Sequence, residues 1–275
     1  MLPSPPLTLT PIPLSALTAA SPADLDTFVT SSRQASLDLL ATLPLDHPKN
    51  GLWKPHKEFH AKDYPTMTWS TARGKHAREE LPYSVGDTHG FKWHVRQSKH
   101  PRTHGSFDEF KAGLLENHSE NEAQYIHECT TAERVEVIRE GEVEVWRTKY
   151  INPPASPRAF TFLLLTLSTT PAASAPEVLT SPTKAPLRAF VVISLPVDSG
   201  SAVPGHVQGR YVSVEHVQET EEGGVVWTMA VSSDAGGWVP RFMSEHVMPS
   251  KIAADVPSFI GWLKKRREGR AGGAA

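Results

Sequence analysis

Apolar side chains recur at helical spacing near both ends of the chain and at every second position through its middle. Ser21-Pro22-Ala23-Asp24 opens a helix with a capping hydroxyl, a proline in the first turn and an acid near the positive end of the dipole. Leu25, Phe28, Val29, Ser32, Ser36, Leu39, Leu40 and Leu43 follow at roughly one helical turn up to Pro44, giving an amphipathic helix. Residues 44–90 show neither period and predict mostly loop, with one short helix around 56–62. FKWHVRQSK at 91–99 predicts a strand. Ser106 and Glu109 form a capping box for a helix carrying Phe107, Phe110, Leu114 and Leu115. Asn117-His118-Ser119 breaks it before a second helical stretch over 120–128.

After residue 128 the period changes to two. Val135 and Val137, a tight turn at Gly141, and Val143, Val145, Arg147 and Lys149 alternating with Glu144, Trp146, Thr148 and Tyr150 make a hairpin. Further strands are predicted at 160–168, 188–195, 209–218 and 224–232, with the stretches 171–186 and 196–206 as proline-rich connections. Trp238-Val239-Pro240 opens a short helix that Pro249 interrupts. Ile252, Val256, Phe259, Ile260 and Leu263 then give an apolar face ending in Lys264–Arg267, with Pro257 as a kink or a fresh start. No strand–helix–strand alternation appears, which argues against a doubly wound nucleotide-binding fold. The pattern predicts an α+β chain: a curved antiparallel sheet around a long C-terminal helix, with an extra N-terminal helix. The inner face of such a sheet is too large for one helix to fill, which leaves room for a cavity.

Composition narrows the function classes. The chain has 275 residues, 39% hydrophobic and 21% charged, the balance of an ordinary globular protein. A formal charge of −2 lacks the basic surface that displaces counterions from phosphates, so nucleic acid is not an expected partner. The 24 prolines are nearly twice the usual share of about 5% and concentrate in residues 1–65 and 153–204. One cysteine, Cys129, excludes an intramolecular disulfide framework and any cysteine-based zinc site. No apolar run approaches the length of a spanning helix, and the proline-broken N-terminus makes a poor signal peptide. The expected setting is soluble and cytoplasmic.

One stretch points to a family. Ser232-Ser233-Asp234-Ala235-Gly236-Gly237-Trp238-Val239-Pro240-Arg241-Phe242-Met243-Ser244, followed by Met248-Pro249 and Val256-Pro257-Ser258-Phe259, resembles the end of a START-related lipid-transfer domain. There a D-x-x-G-x-[IV]-P turn leads from the last strand into the lid-like C-terminal helix. Together with residues 149–160, Ser194-Leu195-Pro196-Val197 and Tyr211-Val212-Ser213-Val214-Glu215, the wording is similar to a fungal branch of the START-like superfamily, a domain of unknown function. The resemblance covers roughly residues 90–265. It implies a helix-grip fold with a ligand cavity between the sheet and the C-terminal helix. It also implies three parts: a proline-rich extension over 1–90 packed on the main domain, a START-like ligand-binding domain over 91–267, and a disordered tail over 268–275.

Trp93, Trp146, Tyr150, Phe162, Tyr211 and Trp227 fall at alternating strand positions, where they either pack a core or line a pocket. Arg147 and Glu215 lie inside apolar-alternating strands. A charge there points to solvent or, as the resemblance implies, anchors a polar group of the ligand. Phe242 and Phe259 on the closing helix complete the expected ligand-binding set. His56 and His60 have the spacing that puts two imidazoles on one helix face, but Lys57 stands where the zinc-protease pattern wants glutamate, so no metal is expected. Cys129 carries no motif of a catalytic thiol, Gly236-Gly237 sits in no phosphate loop, and no cofactor is implied.

The leading reading is a carrier or sensor for a hydrophobic small molecule such as a lipid or sterol, released when the proline-jointed closing helix moves. Basic Lys264–Arg267 is then a candidate for transient contact with an anionic membrane surface. The alternative is a cofactor-independent cyclase or pericyclic-type enzyme of fungal secondary metabolism on the same scaffold, with His94, Tyr150, Tyr211 and Glu215 as polar contributors. A third reading is an interaction module with a residual pocket.

Overall fold

The computed structural model describes residues 2–4, 6–44, 51–61, 64–72, 80–151, 153–168 and 187–272. The described strands form an 11-stranded sheet. In chain order they are β1 Ile12–Pro13, β2 Trp53–Pro55, β3 Phe59–Ala61, β4 Tyr64–Thr71, β5 His94–His100, β6 Cys129–Arg139, β7 Val143–Tyr150, β8 Arg158–Ser168, β9 Ala189–Asp198, β10 Val207–Glu219 and β11 Val225–Asp234. The path across the sheet is β2-β4-β5-β11-β10-β9-β8-β7-β6, with β1 added to β9 and β3 to β4. Neighbours on this path are antiparallel. The helices are α1 Leu14–Thr18, α2 Pro22–Ala41, α3 Phe107–Phe110 continued by a π-type turn over Lys111–Leu115, α4 His118–Tyr125 and α5 Arg241–Gly272.

The sheet has a helix on each side, and alternation decides which residue faces which. Val143, Val145, Leu163, Leu165, Val191, Ile193, Leu195, Val212 and Val214 share a buried cluster with Leu25, Phe28, Val29 and Leu39 of α2. The alternate positions Trp146, Phe162, Leu164, Phe190, Val192, Val217 and Trp227 share another with Val256, Phe259, Ile260 and Leu263 of α5. We call these the outer and inner faces. A one-residue slip in any strand would exchange its two sets of side chains, so the two covered faces fix the register. This is the expected helix-grip arrangement, a curved antiparallel sheet closed by the C-terminal helix with an additional N-terminal helix behind it.

Local signals set the element ends. The Ser21 hydroxyl accepts from the Asp24 amide, and the Ser106–Glu109 capping box is reciprocal. Asn117, in the left-handed region at φ 51°, breaks the chain between the π-type turn and α4. Gly113 lets that turn press onto α5: a Cβ at this position would lie 2.7 Å from the Phe259 ring.

Three expectations are corrected. The described residues within 53–71 are not loop with a helix around 56–62 but three strands, β2–β4, and β4 pairs with β5 as part of the same sheet. The inner-facing residues of β4 are Thr66, Thr68 and Ser70, all buried, so hydropathy shows no alternation there. Second, α5 is one helix passing through Pro249 and Pro257 rather than two pieces. Each proline removes a single amide donor, and the buried face of Ile252, Val256, Phe259, Ile260 and Leu263 holds the turns on either side. Third, α5 continues past Arg267 to Gly272, into the segment expected to be a tail. The whole of the 171–186 connection lies outside the described residues.

Candidate functional site

Strand β5 turns His94, Arg96, Ser98 and His100 to the inner face, and all four are buried. Arg96 is the centre of the arrangement. Its side chain is 0% exposed, and its Nε, Nη1 and Nη2 have no hydrogen-bond partner among the described residues. Its Cζ lies 3.8 Å from the centroid of the Trp227 ring, a cation–π contact. The nearest acid is Glu215 on β10, whose Oε1 is 3.6 Å from Nη2, beyond hydrogen-bond reach. Glu215 Oε2 and Trp227 Nε1 are likewise buried and unpartnered. Burial lowers the Arg96 pKa, while Glu215 and then Asp255 oppose that shift.

Acids and phenols from three further elements surround this pair. The Glu122 carboxylate of α4 accepts a 3.3 Å hydrogen bond from the Tyr150 hydroxyl and lies 3.9 Å from His118 Nε2. Burial raises the Glu122 pKa, against the opposing pull of His118. Asp255 of α5 is pushed up to about 8 by burial, against the pull of Arg96, so it keeps its proton at neutral pH. The phenols of Tyr125, Tyr150 and Tyr211 are raised well above their ordinary value, first by burial and then by Glu122. Burial also pushes the Cys129 thiol up to about 12, which leaves it inert as a thiolate. Aromatic rings fill the space between. Phe160 stands edge-on to Tyr150 and Tyr211 at 5.7 and 5.5 Å, and Phe259 touches Phe110, Trp227 and Tyr125 at 5.1, 5.1 and 5.4 Å.

The residues singled out in the sequence divide between the two faces. Trp146, Phe162, Trp227 and Phe259 belong to the inner cluster, with Tyr211 packed against it. Glu215 faces Arg96, and Tyr150 faces Glu122. Trp93 belongs to the outer cluster with α2. Arg147 also faces outward: it binds Glu133 at 2.9 Å, Ser199 at 3.1 Å and Thr161 at 3.2 Å. Phe242 sits in the first turn of α5 and is 63% exposed. His94 is on the inner face, but its partner is Ser70, at 2.7 Å, rather than the Tyr150, Tyr211 and Glu215 group. His56 and His60 lie on extended chain, where the helical argument for a shared metal does not apply. Among the described residues no cluster of three or more His, Cys, Asp or Glu could hold a metal ion.

Sequence reasoning missed Arg96, Glu122, Tyr125 and Asp255. Arg96 was readable as the second residue of an every-second polar row, His94, Arg96, Ser98 and His100, in a strand whose other side includes Trp93 and Val95. Asp255 falls three residues after Ile252 and four before Phe259, inside the apolar stripe of α5. A carboxyl at that position of an otherwise apolar face is the signal.

Residues 93–263 match the family model described as protein of unknown function DUF3074. An uncharacterized protein of the yeast Schizosaccharomyces pombe, C577.11, is 29% identical over 196 residues, 68% of this chain and 72% of that protein. Among solved structures, human StAR-related lipid transfer protein 5 matches with a TM-score of 0.59 at 13% identity, over 87% of this chain and all of that one. Human STARD10 gives 0.56 at 12% identity, covering 84% and 82%, and a STAR-related lipid transfer protein from Xanthomonas axonopodis gives 0.55 at 11%, covering 78% and 99%. At these identities the likeness is one of fold. No described helix is long and apolar enough to cross a membrane. The chain therefore belongs to the DUF3074 family of proteins of unknown function, and its domain is START-like.

Proposed function

We propose that the chain binds a hydrophobic small molecule, a lipid or sterol-like compound, between the inner face and α5, as a cytoplasmic carrier or sensor. The observation that carries this reading is the Arg96 guanidinium, fully buried among aromatic rings with none of its nitrogens hydrogen-bonded. Glu215 at 3.6 Å offsets the charge but satisfies none of the guanidinium's donors, and buried donors left unsatisfied are costly, so the site is suited to a ligand bringing the missing acceptor. Partial exposure supports the same reading. Glu122, Tyr150, Phe160, Tyr211 and Asp255 each keep some accessible surface, although the acids and phenols among them ionise as deeply buried groups do. Surface of that kind is what a ligand between the sheet and α5 would cover, its apolar part gaining about 25 cal/mol per Å² removed from water. Two of the proteins of similar fold, human StAR-related lipid transfer protein 5 and the Xanthomonas axonopodis protein, are lipid transfer proteins by name.

Exchange would require α5 to move. Three of the four basic residues near its end are already engaged, Lys264 with the Tyr64 hydroxyl at 3.0 Å, Arg267 with Glu109, and Arg266 over the Trp262 ring at 4.5 Å. Lys265 is the one left for a membrane surface. Native mass spectrometry of the purified chain, with organic extraction, tests the reading. One apolar molecule of constant mass per protein, lost in Arg96→Met, is the expected result. A bare protein mass with nothing extracted overturns it. A catalytic use of the same space has one observation in its favour: Asp255 holds a proton to about pH 8 beside Arg96, as a general acid must. Recovery of an added ligand in chemically altered form would favour that reading over the carrier.

A further inference from the structure

A second site lies away from the buried one. Between the N-terminal edge strands and the first two turns of α5 is an open cleft of about 430 Å³, within the range of small-ligand pockets. Its wall is cationic on the sheet side, where Lys57 and Lys92 stand with His56, and His246 faces them from α5. Neither lysine has an ion-pair partner among the described residues. Glu245 is the acid in the lining, and its carboxylate is occupied by the Lys92 backbone amide at 3.3 Å. Phe59, Phe242 and Pro249 supply the apolar part, and the exposure of Phe242 is explained by its place on this rim.

The floor is hydrogen-bonded in a chain. His56 Nε2 lies 2.7 Å from Ser70 Oγ, which lies 2.7 Å from His94 Nδ1. One hydroxyl proton serves both contacts, so Ser70 donates to one ring and accepts from the other. This fixes the His56 ring in the wall from behind, by a residue that is itself buried. Lys92 and His246 also lie close enough to His56 to disfavour its protonated form, after burial, which marks a positive potential across the cleft.

We propose that this cleft binds a phosphate monoester, with Lys57 and Lys92 meeting the dianion, His56 held by Ser70 and His94 beside it, and the ester's carbon portion against Phe59 and Phe242. Two ammonium groups without an ion-pair partner among the described residues match two negative charges, and the opening leaves the rest of the ligand outside. The same chemistry occurs in a soluble phosphorylated metabolite and in a phosphomonoester lipid headgroup. Glycerol 3-phosphate titrated by calorimetry probes the first, and vesicles of phosphatidylcholine carrying phosphatidic acid probe the second. Vesicles of matched surface charge made with phosphatidylserine, a diester, serve as control.

Binding to either monoester probe, weakened at least about tenfold in Lys57→Ala/Lys92→Ala and retained in Lys57→Arg/Lys92→Arg, is expected. Glycerol 3-phosphate alone would assign a soluble ligand, and the phosphatidic acid vesicles alone a headgroup. Lys57 is exposed and Lys92 half-buried, so the variants keep the fold, which circular dichroism checks. No binding to either probe, equal binding to phosphatidylserine vesicles, or binding that survives the double alanine variant overturns the proposal. The buried site is untouched by these variants, so loss of the apolar ligand does not bear on it.

Discussion

The two faces of this sheet are made by alternate residues of the same strands, yet they are finished differently. Along β9 the outer positions Val191, Ile193 and Leu195 are aliphatic, fully enclosed and packed on α2. Arg147, a charged residue on that face, is hydrogen-bonded to Glu133, Thr161 and Ser199. The inner face is aromatic, and at its centre stand Arg96, Glu215, Glu122 and Asp255, of which Arg96 has no hydrogen-bonded nitrogen. Close packing and satisfied polar groups are what stability selects. The outer face follows that rule except at two neutral groups, Trp93 Nε1 and Ser232 Oγ, whereas the inner face leaves charged groups unsatisfied. Departures of this kind collect at functional sites, because a site that binds must keep groups unsatisfied until the ligand arrives.

The sharpest way to break the comparison is to remove the inner charges. Arg96→Met alone leaves Glu215 without its cation and is expected to lower stability by about 3 kcal/mol. Arg96→Met/Glu215→Leu removes both charges and should match or exceed the parent by roughly 1–4 kcal/mol in urea unfolding, while losing the bound apolar molecule. A double variant as unstable as the single one would mean that the pair serves the fold, and the contrast between the faces would fail.

The opposite test is made on the outer face. Leu195 is 0% exposed beneath α2, and Leu195→Ala should cost about 2–5 kcal/mol through lost transfer energy and the cavity left behind. Ligand content, read by native mass spectrometry under folding conditions, should not change. Tyr211→Phe on the inner face should behave in reverse, with stability within about 1 kcal/mol of the parent and altered ligand retention. If Leu195→Ala empties the protein of ligand while still folded, the two faces are coupled and the division drawn between them is wrong.

How far the sequence disclosed these faces depends on what alternates in each strand. In β7–β11 large apolar residues recur on both sides, so the strands, their order and the closing helix are all legible. Arg147 and Glu215 look alike in sequence, each a charge within an apolar-alternating strand. Only pairing separates them: the register of β7 against β8 puts Arg147 beside Thr161 on the outer face, and that of β10 against β11 puts Glu215 opposite Met229. Strand β4 escaped notice because its buried inner residues are threonines and a serine, which mimic a polar loop. Arg96 escaped because a nine-residue strand carrying two lysines, an arginine and a histidine reads as solvent-exposed until β4 and β11 are seen to flank it. Burial of the edge, which made Arg96 central, came from residues that carried no period of their own.

The smallest effect concerns protons. Asp255 is held at about 8 in the folded chain against an ordinary value of 3.8. A carboxyl raised in this way gives its full stability contribution below its unfolded value and loses it as the pH climbs through 8, because unfolding releases a proton in between. His94 and His100 act in the other direction. Burial lowers both from 6.5 to about 3, so their contribution is complete above 6.5 and lost as the pH falls toward 3. Between pH 4 and 6.5 the two effects oppose each other. From 6.5 to 8 these histidines are neutral in both states, and Asp255 dominates. Stability should therefore fall across that interval by up to about 1.4 kcal/mol per pH unit for Asp255, and Asp255→Asn should flatten the slope. Urea midpoints at pH 6.5 and 8 for parent and variant measure it. Parallel lines would show that Asp255 is already ionised at neutral pH, which would place a third charge beside Arg96 and give that guanidinium a partner other than the ligand.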